Sequence, residues 1–221
     1  MKGLLFDLDG VLVDTAKYHF LAWREIAKEL KIPFDEKDNE RLKGVSRMRS
    51  FEIILEIGNR LMSEEEKEFY CAKKNERYLS YIKEMPSSEV LPGVREFLTD
   101  AHAAGYGIAL GSASKNSRLI LERLELTGYF DAIIDGTKVE KAKPDPEVFL
   151  KGAQELGLPP EECIVFEDSQ AGLQAAHAGK MFCVGIGTPQ RLPEADLCMP
   201  GFAGVTMQQI EKALLSHSRT L

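Results

Sequence analysis

The sequence lacks most of the features that would fix a function class at once. Its 221 residues hold only four cysteines, Cys71, Cys163, Cys183 and Cys198. They are widely spaced, with no Cys-x-x-Cys pair, so neither a zinc site nor a disulfide framework is signalled and a reducing cytoplasm is the expected setting. No run approaches the roughly 20 apolar residues that a membrane span requires. The opening apolar run is interrupted by Asp7 and Asp9 before it reaches the length of a secretory core, so no export signal is expected. Positive charge is also in deficit: the formal net charge is −7 and the pI about 5.3. That balance argues against non-specific binding to nucleic acid or to an anionic membrane, both of which need a positive face. Gly105-x-Gly107 and Gly185-x-Gly187 do not continue into Gly-x-Gly-x-x-Gly and a helix, so no dinucleotide loop is read. No internal repeat or low-complexity tract occurs.

What is present suits a compact globular protein. An apolar content of 44% is enough for a substantial core, in one large domain or one domain with an insertion. Gly3 to Phe6 is a short apolar run ending at a carboxylate, which reads as a buried parallel strand delivering Asp7 to its carboxyl end. Similar runs recur at Ile108 to Leu110, Ala132 to Ile134, Cys163 to Phe166 and Phe182 to Ile186, most of them separated by helix-like segments. The alternation predicts an α/β fold with a Rossmann-like parallel sheet and helices on both faces.

Between the first two strands lies a long interval with no strand signal. Phe20, Trp23, Ala27 and Leu30 recur at helical spacing until Pro33, and Ser63 with Glu66 forms a capping box that opens a helix through about Lys83. Met85-Pro86-Ser87-Ser88 reads as a linker. The expected organisation is therefore a core of residues 1–14 and 86–221 carrying a helical cap of residues 15–85, above the carboxyl edge of the sheet where open α/β domains bind ligands.

The candidate chemistry gathers at strand ends. Asp7-Leu8-Asp9-Gly10 places two carboxylates two residues apart, and Glu167-Asp168 places two more after a later strand. An isolated Asp-x-Asp-Gly is commonly a solvated turn, and an acidic pair before Ser169 is an ordinary helix start. Together, however, two acidic strand ends on one sheet edge favour a hard divalent cation such as Mg²⁺. Ser112, Ala113 and Asn116 follow the second strand near a helix start, a place where hydroxyl and backbone donors bind phosphate or simply cap the helix. Lys143 immediately precedes Pro144 in Lys141-Ala142-Lys143-Pro144-Asp145-Pro146, where the prolines stiffen the loop. Held there it would neutralise a transferring phosphoryl group; otherwise it is a solvated surface lysine. Lys43-Gly44-Val45-Ser46-Arg47 suits a second phosphate or is a basic interhelical loop. His19 and Trp23, taken alone, read as structural.

In this order the pieces resemble the haloacid dehalogenase superfamily: Asp7-x-Asp9 with Gly10-Val11 and Thr15, then Ser112, then Lys143-Pro144, then Glu167-Asp168. The finer pattern resembles the β-phosphoglucomutase family, through Lys43 to Arg47, Ser112 to Asn116, Leu126-Thr127-Gly128-Tyr129-Phe130-Asp131 and Glu167 to Gly172. The resemblance implies that Asp7 is the nucleophile that becomes an aspartyl phosphate, and that Asp9 is the general acid and base. It implies Mg²⁺ held by Asp7, the Asp9 backbone carbonyl and Asp168, with Glu167 at the second acidic position, and Ser112 and Lys143 on the transferring group. For substrate it implies Thr15, His19, Trp23, Lys43, Gly44, Val45, Ser46, Arg47, Ser50 and Lys74 in the insert, and Ser112, Ala113, Ser114, Lys115 and Asn116 in the core.

The reaction implied converts β-D-glucose 1-phosphate to glucose 6-phosphate through the 1,6-bisphosphate, with cap closure excluding water. A sugar-phosphate or phosphoglycolate phosphatase is the nearest rival; a non-catalytic phospho-acceptor or binding protein is a rival of another class. The expected partner is a small sugar phosphate, with neither nucleic acid nor membrane, and the chain is expected to act as a monomer.

Overall fold

The computed structural model describes residues 1–42 and 46–217. Six parallel strands form one sheet: β1 (Gly3–Phe6), β2 (Gly107–Gly111), β3 (Ala132–Ile134), β4 (Cys163–Glu167), β5 (Phe182–Ile186) and β6 (Leu197–Met199), in the spatial order β3-β2-β1-β4-β5-β6. Every residue of β1 is buried, as a central strand covered on both faces must be. Successive side chains alternate between those faces. Leu5 and Val165 join a core cluster with Phe149 and Ala153 of α7 (Glu147–Glu155) and Leu173 of α8 (Gln170–Ala178). Phe6 and Phe166 stack at 4.6 Å between ring centroids and meet Phe97 of α5 (Val94–Ala103) edge-on. Further helices are α6 (Ser117–Arg123) and α9 (Met207–His217). The parallel α/β architecture is as the sequence predicts; β6 is an addition.

The chain divides into two compact units, residues 1–14 with 86 onward, and residues 15–85. The second contains α1 (Ala16–Glu29), α2 (Glu36–Glu40), α3 (Arg47–Ile57) and α4 (Glu64–Lys83). This helical insert follows β1 and corresponds to a cap. Its own core is apolar and partly aromatic: Trp23 and Ile26 of α1 pack with Phe51 and Ile54 of α3 and Cys71 of α4, and Trp23 stacks on Phe51 at 5.8 Å. The Ser63–Glu66 capping box is present, each partner satisfying the other's backbone N–H, so α4 starts and stops where the sequence places it. Ion pairs of Glu29 with Lys73 and Arg77 join α1 to α4 on the surface. Among the described residues no helix is long and apolar enough to cross a membrane.

Candidate active site

β1 lies at the centre of the sheet, where the strand order reverses: the chain steps outward through β2 and β3 on one side of β1, then crosses back to β4 and steps outward through β5 and β6 on the other. A crevice opens at the carboxyl ends of the strands at such a point. Phe6 is in register with Leu110 on one side and Phe166 on the other, so Asp7, one residue on, stands level with Gly111 and Glu167. Its N–H donates to the Phe166 carbonyl at 3.0 Å, which holds the start of the loop to β4. Asp7 and Glu167 thereby come together although the sequence separates them widely.

Lys143 joins them. Its ammonium is 2.6 Å from Asp7 Oδ1 and 2.7 Å from Glu167 Oε1, and it sits over the ring of Phe149 at 4.6 Å from the centroid. The other Glu167 oxygen accepts both the Ser169 N–H and the Ser169 hydroxyl at 2.8 Å. With both oxygens engaged and only 1% exposure, Glu167 is held rigidly. Asp168 completes the cluster: Asp7, Glu167 and Asp168 each offer a carboxylate oxygen, all within 4.8 Å of one another. Two glycines make room for it. At Gly10, where φ is +77°, a Cβ would run into the Asp168 carboxylate, and at Gly172 a Cβ would overlap the Glu167 side chain. In the sequence Gly10 and Gly172 carry no signal beyond their motifs and Ser169 reads as part of a helix start; the small size of the two glycines and the reach of the Ser169 hydroxyl are what the cluster needs.

Electrostatics follow from this crowding. Burial pushes Asp7 above the ordinary carboxylate range; Lys143 opposes that, while Glu167 and Asp9 add to it. Burial, with Glu167 and Asp9, likewise lifts Asp168 to about 7. Burial alone would lower the Lys143 ammonium, but Asp7 and Glu167 outweigh it and keep it protonated. Fully ionised, the three carboxylates would outweigh the one ammonium by two negative charges. A divalent cation with a preference for oxygen ligands fits that donor set, because it offsets the burial and the mutual repulsion that together raise Asp7 and Asp168.

Ser112 follows β2 and is 2% exposed. Its N–H donates to the Ile134 carbonyl at 3.0 Å, and its hydroxyl oxygen accepts the Ser114 N–H at 3.2 Å, leaving the hydroxyl proton as a donor. Ser114 repeats the pattern, accepting the Asn116 N–H at 3.2 Å, and Asn116 is the cap residue of α6. The loop Ser112, Ala113, Ser114, Lys115 and Asn116 is thus built of short side-chain turns at a sheet edge. Just past β3, the Gly136 N–H ties to this loop by donating to the Ser114 carbonyl at 3.1 Å, while buried Asp135 accepts from Arg118 Nε at 3.1 Å and the Thr137 N–H at 2.9 Å. Nothing in the sequence marked these contacts.

Within the insert the candidate residues separate into groups. Lys74, 2% exposed, lies 2.8 Å from His19 Nδ1, and its ammonium sits over the rings of Trp23 and Tyr78. Burial pushes His19 down to about 3, with Lys74 and Arg47 acting the same way, so the imidazole is neutral and Nδ1 accepts. Trp23 serves the cap core as well as flanking Lys74. Ser46 caps α3, its hydroxyl oxygen accepting the Arg49 N–H at 3.2 Å, and Arg47 opens that helix. Ser50 is buried one turn on. Thr15 is the buried cap residue of α1, and its carbonyl accepts the His19 N–H at 3.1 Å. Lys43, Gly44 and Val45 lie outside the described residues.

Comparison with known proteins places these features in a family. The profile described as haloacid dehalogenase-like hydrolase matches residues 1–180. A β-phosphoglucomutase of Bacillus subtilis (strain 168) is 40% identical over 214 residues, covering 96% of this chain and 95% of its own. A β-phosphoglucomutase crystal structure from Clostridium difficile superposes with a TM-score of 0.89 at 40% identity, over 99% of each chain. A phosphorylated carbohydrates phosphatase of Thermotoga maritima is 33% identical across 80% of each chain.

Proposed function

The chain belongs to the haloacid dehalogenase-like hydrolase family, and from that premise we propose that it is a Mg²⁺-dependent phosphoryl-transfer enzyme that isomerises β-D-glucose 1-phosphate to glucose 6-phosphate. The observation that carries the reading is the bridge of Lys143 between Asp7 and Glu167, beside Asp168, at the edge where the strand order reverses. Similarity to two β-phosphoglucomutases over nearly full length supports the sugar.

In this reading an Asp7 carboxylate oxygen attacks phosphorus, the sugar oxygen departs, and Asp9 gives that oxygen its proton. The aspartyl phosphate then transfers its phosphoryl group to the 6-hydroxyl of β-glucose 1-phosphate, whose proton Asp9 takes. The bisphosphate so formed returns its C1 phosphoryl group to Asp7 and leaves glucose 6-phosphate. Ser112 donates its free hydroxyl proton to a phosphoryl oxygen, and Lys143 balances the charge that gathers as the bond forms. Asp7, the Asp9 carbonyl and Asp168 would hold Mg²⁺, with Glu167 behind them. A bound Mg²⁺ supplies charge neutralisation for the transferring oxygens. In the insert, Arg47 and Lys74 are assigned to the phosphate that is not being transferred, and His19, kept neutral, orients the Lys74 ammonium.

Incubation with β-glucose 1-phosphate, Mg²⁺ and a trace of β-glucose 1,6-bisphosphate tests the proposal. Glucose 6-phosphate should accumulate with little free phosphate. Release of phosphate without glucose 6-phosphate would assign the chain to the phosphatase branch, which the Thermotoga maritima relative represents.

A further inference from the structure

Lys143 must meet two buried carboxylates at 2.6 and 2.7 Å, yet it lies in a segment, residues 137–146, with neither helix nor strand. Such a segment cannot place an ammonium unless its backbone is tied to something rigid. The tie is Glu147, the first residue of α7. Its Oε2 accepts the N–H of Glu140 at 3.0 Å and of Lys141 at 2.8 Å. Its Oε1 meets Lys151 Nζ at 2.5 Å, one helical turn on, and the same ammonium donates to the Lys138 carbonyl at 2.7 Å. Asp145 closes the other side: its N–H donates to the Ala142 carbonyl at 3.1 Å, and its Oδ1 accepts the Glu147 N–H at 3.0 Å. A carboxylate at the first position of a helix is also favoured by the helix dipole. Within α7 sits Phe149, whose ring supports the Lys143 ammonium. Backbone and side chain of the Lys143 segment therefore rest on one helix.

We propose that Glu147 is a positioning residue for Lys143: by accepting the Glu140 and Lys141 N–H groups it fixes the segment that presents the ammonium to Asp7 and Glu167. The proposal rests on the reading of Lys143 as the group that neutralises the transferring phosphoryl. Nothing in the motif pattern points to Glu147, because its contacts are to backbone and not to the reacting atoms.

The test compares Glu147→Ala, Glu147→Gln and Lys143→Ala, with turnover measured on whichever hexose phosphate the parent protein uses best. Glu147→Ala should lower kcat by about tenfold to a hundredfold, the cost of a misplacement of about 1 Å, with KM changed less than about twofold. Glu147→Gln keeps a carbonyl acceptor for the two N–H groups and should restore most of the lost kcat. Amide exchange in residues 138–146 should accelerate in Glu147→Ala while exchange across α7 and the melting temperature hold. Parental kcat in Glu147→Ala, against an inactive Lys143→Ala, would overturn the positioning role. A drop in kcat matched by loss of protection across α7, or left unrescued by Gln, would overturn it as well. Near-parental turnover in Lys143→Ala would instead remove the premise, and the proposal with it.

Discussion

The two compact units bury ionisable groups in opposite ways. In the sheet unit, burial raises Asp7 and Asp168, and neighbouring carboxylates push them further. In the helical unit, burial lowers His19, and the cations Lys74 and Arg47 push it further down. Desolvation disfavours the charged form in both places; what differs is the sign of the neighbours. One unit has gathered negative charge that a cation would relieve. The other has gathered the cations Lys74 and Arg47 around a neutral histidine. A phosphoryl-transfer enzyme acting on a substrate with more than one phosphate calls for both.

Four experiments would break or sharpen that contrast. The largest effect belongs to the acidic cluster: Asp7→Asn should cost at least about three orders of magnitude in turnover, because an amide cannot form the acyl phosphate. Steady-state rates of the variant against the parent decide it, and turnover within about tenfold of the parent would remove Asp7 from the mechanism. Next comes the cationic side. Arg47→Ala should raise KM roughly tenfold to a hundredfold, the scale of one charge-assisted hydrogen bond, and should increase free phosphate relative to isomerised product. An unchanged product ratio and KM would deny the insert a phosphate.

The third concerns the cation and pH. Carboxylates whose folded pKa is raised stabilise the fold fully below the ordinary carboxylate pKa, and that contribution is lost as pH rises through the folded value, about 7 for Asp168. Mg²⁺ held by the deprotonated groups, as proposed, would reverse this, so its stabilisation should be greater at pH 8 than at pH 6. It should reach about 2.7 kcal/mol at a hundredfold excess over Kd. Thermal melts with and without Mg²⁺ measure it, and a pH-independent shift would contradict the raised carboxylates.

The smallest effect has the opposite sign. His19, depressed to about 3, gives stability that is present above its unfolded pKa of about 6.5 and is lost as pH falls towards the folded value. Unfolding of the parent should therefore ease by about 1 to 2 kcal/mol between about pH 7 and pH 5 relative to His19→Gln. Equal pH slopes in the two proteins would show that the imidazole is not held neutral.

The same contrast runs through what the sequence discloses. The sheet unit is largely legible, because each parallel strand is a short apolar run bounded by Gly, Asp or Ser, and the chemistry hangs on the strand ends. β6 escapes notice because Leu197–Met199 is a short edge strand with two of its three residues only half-buried, and Pro200 follows it at once. In the insert, the start of α4 is readable from Ser63 and Glu66. α2 is not: Glu36–Glu40 is polar throughout, buries nothing and depends on Asp35 as its cap. Ser46 reads as a hydroxyl of a phosphate-binding or interhelical loop, and its bond to Arg49 adds a helix-cap role. Burial of Lys74 is invisible for a deeper reason, since a lysine in a helical repeat is expected to be solvated; its shelter depends on Trp23 and Tyr78 arriving from two different helices.

The central claim is that the Asp7 carboxylate forms the bond to phosphorus. Rapid quenching after mixing the protein with β-glucose 1,6-bisphosphate and Mg²⁺, followed by peptide mass spectrometry in acid, tests it directly. The account predicts the added mass of one phosphoryl group on the peptide containing Asp7, absent from Asp7→Asn. The same mass on any other peptide, or on none while turnover proceeds, would contradict it.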